Sequence, residues 1–349
     1  MPCGIIILIS GTGIGGGYRI SEPFRINDEK DNYVVIITVT DEITISDIES
    51  QLKEKGFNNV YPRAVLGLSN LIERYNADFS QKFHELNTYK IIEANKDKIE
   101  KVRELLADEK SKKVYDAIVE KTKYNIDDYT DIADDLYEHY FSDGFFTYGE
   151  NEVFIDGGAF QGEDTIRLSR VIGKDKIKRV YCFEPDQSNF DKCVRNLQKH
   201  FEDKGKGEKD AHVGEHYSVL KSGLWNENSN VGFISYGTHA SVFAELRNAA
   251  SPNSVPGVRI DDVIGLDEKV TLIKMDIEGA EIQALQGAED TIRRDAPKLA
   301  ICIYHMIEDL WTIPLYIHSL NPDYKLFVRH HTVKFWDSVL YAMEGDMKE

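Results

Sequence analysis

Three acids stand where chemistry would need them. Asp156 closes the apolar run Val153-Phe-Ile and opens a glycine-rich turn, Asp156-Gly-Gly-Ala-Phe-Gln-Gly162. Glu184 closes Val180-Tyr-Cys-Phe, 22 residues after Gly162, and Pro185 follows it. Asp276 closes Leu272-Ile-Lys-Met, with Glu278 and Glu281 directly behind it. In the first turn, glycines let the backbone approach a ligand, whose polar groups can meet the N-terminus of the helix opening near Asp164-Thr165. The spacing is Asp-x-Gly-x-x-x-Gly, not the Gly-x-Gly-x-x-Gly of dinucleotide folds. An acid there repels a pyrophosphate but pairs with a cationic or hydrogen-bond-donating group. Glu184 has the position of an acid that accepts hydrogen bonds from ribose hydroxyls. Together the turn and the acid argue for an adenosine-containing cofactor. The three acids at 276–281 are costly unless paired or used, and Lys274 lies just inside the strand. Glu281 also suits a helix N-terminus, where it would complement the dipole.

Such acids need a sheet that delivers them to one edge. From Glu152 onward, apolar runs at 153–155, 180–183, 217–220, 270–275, 299–304, 326–328 and 339–341 read as strands. Helical patterns at 165–171, 189–200, 282–294 and 309–320 separate most of them. The alternation predicts an α/β fold with a doubly wound, largely parallel sheet. Residues 203–210 read as a polar surface loop. Residues 235–257 read as a long irregular segment of the kind that often forms a binding lid, with His239 within it. Residues 68–141 read as helices. Ahead of them, strands at 4–9, 33–39 and 59–61 and a helix at 46–55 make a small α/β unit. The expected organisation is a module at 1–66, a helical connector at 67–147 and a main domain at 148–349.

Composition excludes several classes. With 42 Lys+Arg against 60 Asp+Glu, the 349-residue chain carries a net charge of −18. That argues against a broad phosphate-gripping surface, and so against a nucleic-acid partner. Eight acids and no Lys or Arg fall within 127–150, which reads as a solvated face. Cys3, Cys182, Cys193 and Cys302 are scattered with no Cys-x-x-Cys pair, which fits neither a disulfide framework nor a zinc site. The histidines are also scattered, so no metal requirement is indicated. No run approaches the roughly 20 apolar residues of a membrane span. A soluble, cytoplasmic protein is expected.

The order Phe-Ile-Asp-Gly-Gly-Ala-x-x-Gly, then Cys-Phe-Glu-Pro-Asp, then Lys-Met-Asp-Ile-Glu-Gly-Ala-Glu resembles the FkbM family of S-adenosylmethionine-dependent methyltransferases. The match covers about Tyr148 to Tyr341, and Ile-Glu-Gly-Ala-Glu is its most family-specific piece. The resemblance implies a class I methyltransferase-like sheet whose last strand, Ser338–Tyr341, runs antiparallel. It implies methyl transfer from S-adenosylmethionine to a hydroxyl oxygen, often on a sugar or glycosylated small molecule. By position, Asp156, Gly157, Gly158, Phe160, Gly162 and Thr165 would line the methionine end of the cofactor. Glu184 with Pro185 would take the ribose, and Gly223 and Leu224 would border the adenine. Asp276 would sit near the sulfonium. Transfer from a sulfonium needs the acceptor oxygen held in line and a base for its proton. Asp276, Glu278 and His305 are the candidate bases, with His330 and His331 as candidates for the acceptor pocket.

The N-terminal Ser10-Gly-Thr-Gly-Ile-Gly-Gly looks like a dinucleotide turn, yet only fifteen residues separate Gly17 from Tyr33. A βαβ unit needs about 30. The stretch Asp47-Ile-Glu-Ser-Gln-Leu-Lys-Glu-Lys-Gly-Phe-Asn-Asn-Val-Tyr61 resembles the Rossmann-like domain ahead of some sugar-modifying enzymes, without its first helix and second strand. It reads as a degenerate module for positioning, substrate recognition or contact in a homo-oligomer. Two other functions stay open. A nicotinamide-dependent oxidoreductase is disfavoured by the glycine spacing and the leading acid. A non-catalytic cofactor-binding scaffold would keep the motifs without the chemistry.

Overall fold

In the computed structural model, the described residues are 88–345 apart from 125, 136–138, 142–145, 209, 235–241 and 244–252. Before residue 88 they are 4–8, 33–37, 50, 52–54, 56 and 60–62. The chain divides into two compact units, one N-terminal and one formed by the remainder from Glu73 apart from 125–127. In the first, β1 (Gly4–Leu8), β2 (Tyr33–Ile37) and β3 (Val60–Pro62) form a parallel sheet in the order β1-β2-β3. The glycines at 11–17 and most of the 46–55 helix lie outside the described residues.

The second unit opens with α1 (Thr88–Ala94), α2 (Lys96–Leu105) and α3 (Glu109–Tyr124). Then come β4 (Glu152–Gly157), α4 (Glu163–Ile172), β5 (Ile177–Phe183) and α5 (Gln187–Phe201). The hairpin β6 (Lys206–Glu208) and β7 (Ala211–Val213) leads into β8 (Tyr217–Leu220). Short strands β9 (Gly223–Leu224), β10 (Ser229–Ile234), β11 (Val242–Phe243) and β12 (Ser254–Val258) follow, with α6 (Ile260–Val263) behind them. The chain continues with β13 (Leu272–Met275), α7 (Glu281–Gln286), α8 (Glu289–Asp295) and β14 (Lys298–Cys302). It ends with α9 (Asp309–Leu320), β15 (Lys325–His330) and β16 (Ser338–Met343).

Among the described residues the main sheet has the order β15-β16-β14-β13-β4-β5-β8-β7-β6. Its centre, from β14 to β8, is parallel. β16 runs antiparallel to both β14 and β15, and the β6–β7 hairpin adds antiparallel strands at the far edge. The fold is a mixed α/β sheet with helices on both faces. Successive residues of β4 explain its unbroken apolar run: Val153 and Ile155 face one core and Phe154 the other. The first core takes Val102, Tyr115 and Ile118 from the leading helices as well as Trp311 and Ile317 from α9. The second takes Leu168, Cys193 and Leu197 from α4 and α5, with Tyr140 and Phe141. α3 is tied to β15 by polar contacts. Arg329 reaches Asp108 at 2.7 Å and Ser111 Oγ at 2.7 Å, and the Val328 N–H also donates to Ser111 Oγ.

Three local readings are corrected. Residues 203–210 are not wholly a loop, because Lys206–Glu208 pairs with Ala211–Val213. A charged edge strand shows no apolar alternation. The single helix expected at 282–294 is two helices divided at Gly287. A Cβ on Gly287 would lie 2.1 Å from the carbonyl oxygen of Trp225, so this close approach requires glycine. The described part of 235–257 is not irregular. β11 and β12 flank β10 in a separate sheet ordered β11-β10-β12-β9, while His239 lies outside the described residues. Among the described residues, no helix is long and apolar enough to cross a membrane.

Candidate active site

β4 delivers Asp156 to the sheet's carboxyl edge, but the side chain is fully buried there. Its carboxylate accepts a hydrogen bond from Thr165 Oγ at 2.8 Å and pairs with Lys274 Nζ at 3.2 Å. Lys274 comes from the neighbouring β13 and is itself buried. It also pairs with Asp164 at 3.0 Å and donates to the Gly158 carbonyl at 3.0 Å. Burial alone would deprotonate this lysine. Asp156, Asp164 and Asp276 instead hold its pKa well above the ordinary value. Burial likewise pushes Asp156 up, against the pull of the Lys274 charge. The cluster therefore clamps both ends of the glycine turn: Asp156 before it, Asp164 at the start of α4, and a turn carbonyl between them. Gly158 has φ +72°, and a Cβ on it would lie 1.9 Å from the Asp276 carbonyl oxygen. Gly162, with φ +82°, caps α4.

Glu184 ends β5 opposite that turn and is 6% exposed. Its Oε2 accepts from the Phe160 N–H and its Oε1 from the Asp186 N–H, each at 2.9 Å. Burial raises its pKa to about 7 in spite of those two donors. Pro185 is half-buried beside it. Gly223 and Leu224 form β9, and Leu224 Cδ1 lies 2.8 Å from where a Cβ on Gly157 would stand. Ser222 Oγ is buried with no hydrogen-bond partner. The turn, Glu184 and the 222–224 segment thus meet at one edge of the sheet.

Asp276 stands at the end of β13. Its Oδ1 accepts from Tyr304 Oη at 3.0 Å and its Oδ2 from Tyr140 Oη at 2.9 Å. Burial would raise its pKa, but His305, Lys274 and Tyr140 bring it well below the usual carboxylate range. His305 follows β14. Its Nε2 lies 3.3 Å from Asp276 Oδ1 and 3.7 Å from Glu278 Oε2, and its Nδ1 lies 2.9 Å from Glu281 Oε1. Burial opposes a charged ring, yet the charges of Glu281 and Asp276 raise its pKa well above the ordinary value. Neither ring nitrogen has an aligned hydrogen bond, so these are charge contacts. Glu278 (φ +58°) and Gly279 (φ +99°) turn the chain sharply toward α7. Asp276, Glu278 and His305 are therefore brought together, although they come from two different strand ends.

His330 is buried against Ser338 Oγ and His331 against the Tyr341 hydroxyl, and the His331 N–H donates to the Asp337 carbonyl at 3.1 Å. Sequence reasoning missed Tyr140, Tyr304 and Asp337. Tyr304 adjoins His305 and could have been found, whereas Tyr140 lies 136 residues from its partner and carries no local signal. Asp337 has φ +67° at the entry to β16. Its carboxyl is raised to about 7 by burial and by Asp276 and Asp164, with His305 opposing.

The carboxyl edge of the mixed α/β sheet thus joins a glycine turn, the strand-end acid Glu184 and an acidic cluster. Residues 156–335, more than half of the chain, match the methyltransferase FkbM domain. The chain belongs to the FkbM family of S-adenosylmethionine-dependent methyltransferases. The crystal structure of methyltransferase FkbM from Methylobacillus flagellatus KT is similar, with a TM-score of 0.63 and 25% identity over 89% of this chain and 74% of that one. An rRNA methylase from Streptococcus thermophilus has a TM-score of 0.34 and 16% identity, over 60% of this chain and 90% of that one. Trm1 from Pyrococcus horikoshii, with S-adenosyl-L-methionine, has a TM-score of 0.33 and 11% identity, over 56% of this chain and 51% of that one. No curated protein matches the chain. S-adenosylmethionine is the cofactor. The residues present fit it: Glu184 and the orphaned Ser222 hydroxyl offer polar contacts, and the acidic edge suits a cationic sulfonium.

Proposed function

We propose that this methyltransferase modifies a hydroxyl oxygen of a sugar or glycosylated small molecule, on a class I sheet. The carrying observation is the acidic edge. Asp276, Glu278 and Asp337 offer carboxylate oxygens that can accept hydrogen bonds from hydroxyl groups, and their charge disfavours an anionic acceptor such as a nucleic acid. Incubation with labelled cofactor and a panel of sugars, glycosides and RNA oligonucleotides tests this. Label on a sugar hydroxyl supports it, and label on RNA alone overturns it. Free, buried Cys182, Cys193 and Cys302 support a reducing, cytoplasmic setting.

In this reading Gly157, Gly158, Phe160 and Gly162 present backbone to the methionine end. Asp156 and Thr165 hold that turn from below. Glu184, with Pro185 shaping its turn, takes the ribose, and Gly223 and Leu224 border the adenine. When bound, the cofactor supplies an electrophilic methyl group. Asp276, already accepting two tyrosine hydroxyls, is a weak base and a better electrostatic partner for a cation. A protonated His305 has no lone pair to offer at Nε2. Asp337 suits the proton acceptor better, because its pKa of about 7 lies near the working pH. With an accepted sugar, kcat/KM is expected to rise with pH toward a plateau above about 7. Asp337→Asn should lower kcat by about 10²–10⁴ and remove that limb. An unchanged profile would shift the role to Glu278.

A second expectation concerns binding alone. Ribose hydroxyls would donate to the ionised Glu184, so binding favours the charged form and lowers its pKa from about 7. Lys274 and Asp186 are the other charges acting on this carboxyl. Affinity for S-adenosylhomocysteine is therefore full above pH 7. Below it, affinity falls by up to about tenfold per pH unit until the bound-state pKa is reached. Titration calorimetry between pH 5.5 and 8.5 checks it, and affinity that is flat across this range would refute the role of Glu184.

A further inference from the structure

We propose that His139 is a positioning residue for Asp337: its Nε2 accepts a hydrogen bond from the Asp337 carboxyl once that group has taken the proton of the acceptor hydroxyl. This rests on the reading of Asp337 as proton acceptor given above. His139 is 8% exposed, and its Nε2 is buried with no hydrogen-bond partner among the described residues. A buried polar nitrogen without a partner is costly, so one that is kept calls for a use. Asp337 Oδ1 lies 4.0 Å from it. That is about 1 Å too long for a hydrogen bond. A small rotation of the aspartate side chain, whose terminal torsion is broad, closes such a gap.

One frame holds both partners. The His139 ring stacks on Tyr140, with centroids 3.6 Å apart and planes at 27°, and meets the His331 ring at 4.9 Å. Tyr140 is fixed at both ends: its N–H donates to Tyr341 Oη at 3.0 Å and its hydroxyl to Asp276 Oδ2 at 2.9 Å. The same Tyr341 Oη lies 2.9 Å from His331 Nε2, and the residue after His330 thereby anchors the Asp337 backbone, whose carbonyl accepts from the His331 N–H at 3.1 Å. Tyr140 (φ +62°) and Asp337 (φ +67°) hold left-handed backbone, which a side-chain-bearing residue keeps only where its surroundings fix it. The charges around the pair divide the roles. Burial, with His331, Arg167 of α4 and Lys274 of β13, brings the His139 pKa down to about 2 against the pull of Asp276. Burial, with Asp276 and Asp164, raises Asp337 to about 7 against His305. The imidazole thus stays neutral, and with its ring proton on Nδ1 it keeps a lone pair at Nε2. It accepts a hydrogen bond without taking the proton. As the acceptor O–H bond breaks and the oxygen–methyl bond forms, the pair of the broken sulfur–methyl bond stays on sulfur. The proton rests on Asp337, turned toward Nε2. The Asp337 side chain is 17% exposed, so the proton can then leave to water.

The test is nuclear magnetic resonance of the full chain, with labelled aspartate carboxyl carbons and histidine ring nitrogens. The Asp337 signal is identified by its loss in Asp337→Asn. In the wild type it should titrate near pH 7, and the His139 Nε2 signal should move with the same midpoint while staying that of an unprotonated nitrogen. His139→Phe keeps a stacked ring and removes the acceptor, so the neutral acid loses its partner. The Asp337 midpoint should then fall by about one pH unit, a tenfold change in acidity. His139→Gln, whose amide oxygen can accept, should restore part of the fall. With an accepted sugar, the acid limb of kcat/KM should move by the same amount, which a merely structural role for His139 would not cause. An Asp337 midpoint unmoved in His139→Phe, or a wild-type His139 Nε2 that carries a proton, overturns the proposal and leaves Asp337 as proton acceptor. The nitrogen signal decides even where a variant fails to fold. A wild-type Asp337 that titrates in the ordinary carboxylate range overturns the reading of Asp337 itself.

Discussion

Replacing Lys274 by Met is expected to destabilise the protein by about 3–5 kcal/mol, because it leaves a buried carboxylate without its counter-charge. Asp156 is fully buried, and Lys274 is the cation that pairs with both Asp156 and Asp164. The methionine fills similar space, so the loss is electrostatic and not a cavity effect. For a unit of this size the midpoint of thermal unfolding should fall by roughly 10 °C. The sign of the pH dependence follows. An unpaired Asp156 would have a folded pKa above its unfolded value, so the deficit grows as pH rises above the ordinary carboxylate range and shrinks in acid. Scanning calorimetry of Lys274→Met and of the double variant Lys274→Met/Asp156→Asn checks this. Partial recovery in the double variant is expected. A shift of less than about 2 °C in the single variant would show that the clamp contributes little.

Gly158→Ala should cost a comparable amount by a different route. At φ +72° a side chain is strained by about 1–2 kcal/mol. The added Cβ would also meet the Asp276 carbonyl oxygen at 1.9 Å, and that oxygen is backbone that cannot rotate away. Relieving the overlap means separating the ends of β4 and β13, for about 1–3 kcal/mol more. Because those ends carry both the glycine turn and Asp276, binding of S-adenosylhomocysteine should fall with stability. Chemical denaturation and calorimetry on one preparation measure both. A variant that unfolds at the wild-type denaturant midpoint would contradict this account of the turn.

These two sites also mark the boundary of what could be read in advance. The central strands were legible because they are mostly buried: β4, β13, β14 and the second half of β5 are largely apolar runs, and β4, β5 and β13 end in or beside an acid. The acids at 156, 184 and 276 were legible for the same reason. The partners that set their chemistry were not. Lys274 looked like one polar residue inside a strand, yet register with β4 puts it opposite Asp156. Tyr140 reaches Asp276 only through tertiary folding, and Asp337 sits in a turn with no motif. His305 meets Asp276 and Glu278 only because β13 and β14 are adjacent, which no local motif announces. The β6 edge strand is charged, and β9 to β12 are too short or too mixed to show alternation.

The central claim is that the 156–162 turn and Glu184 form the S-adenosylmethionine site. Titration calorimetry of S-adenosylhomocysteine into the full chain, beside Glu184→Ala at pH 8, tests it most directly. One site per chain is predicted, weakened by about 10²-fold or more when a carboxylate that accepts charged hydrogen bonds is removed. Binding of equal strength in the folded variant, or no binding to the folded wild-type chain, would contradict the account.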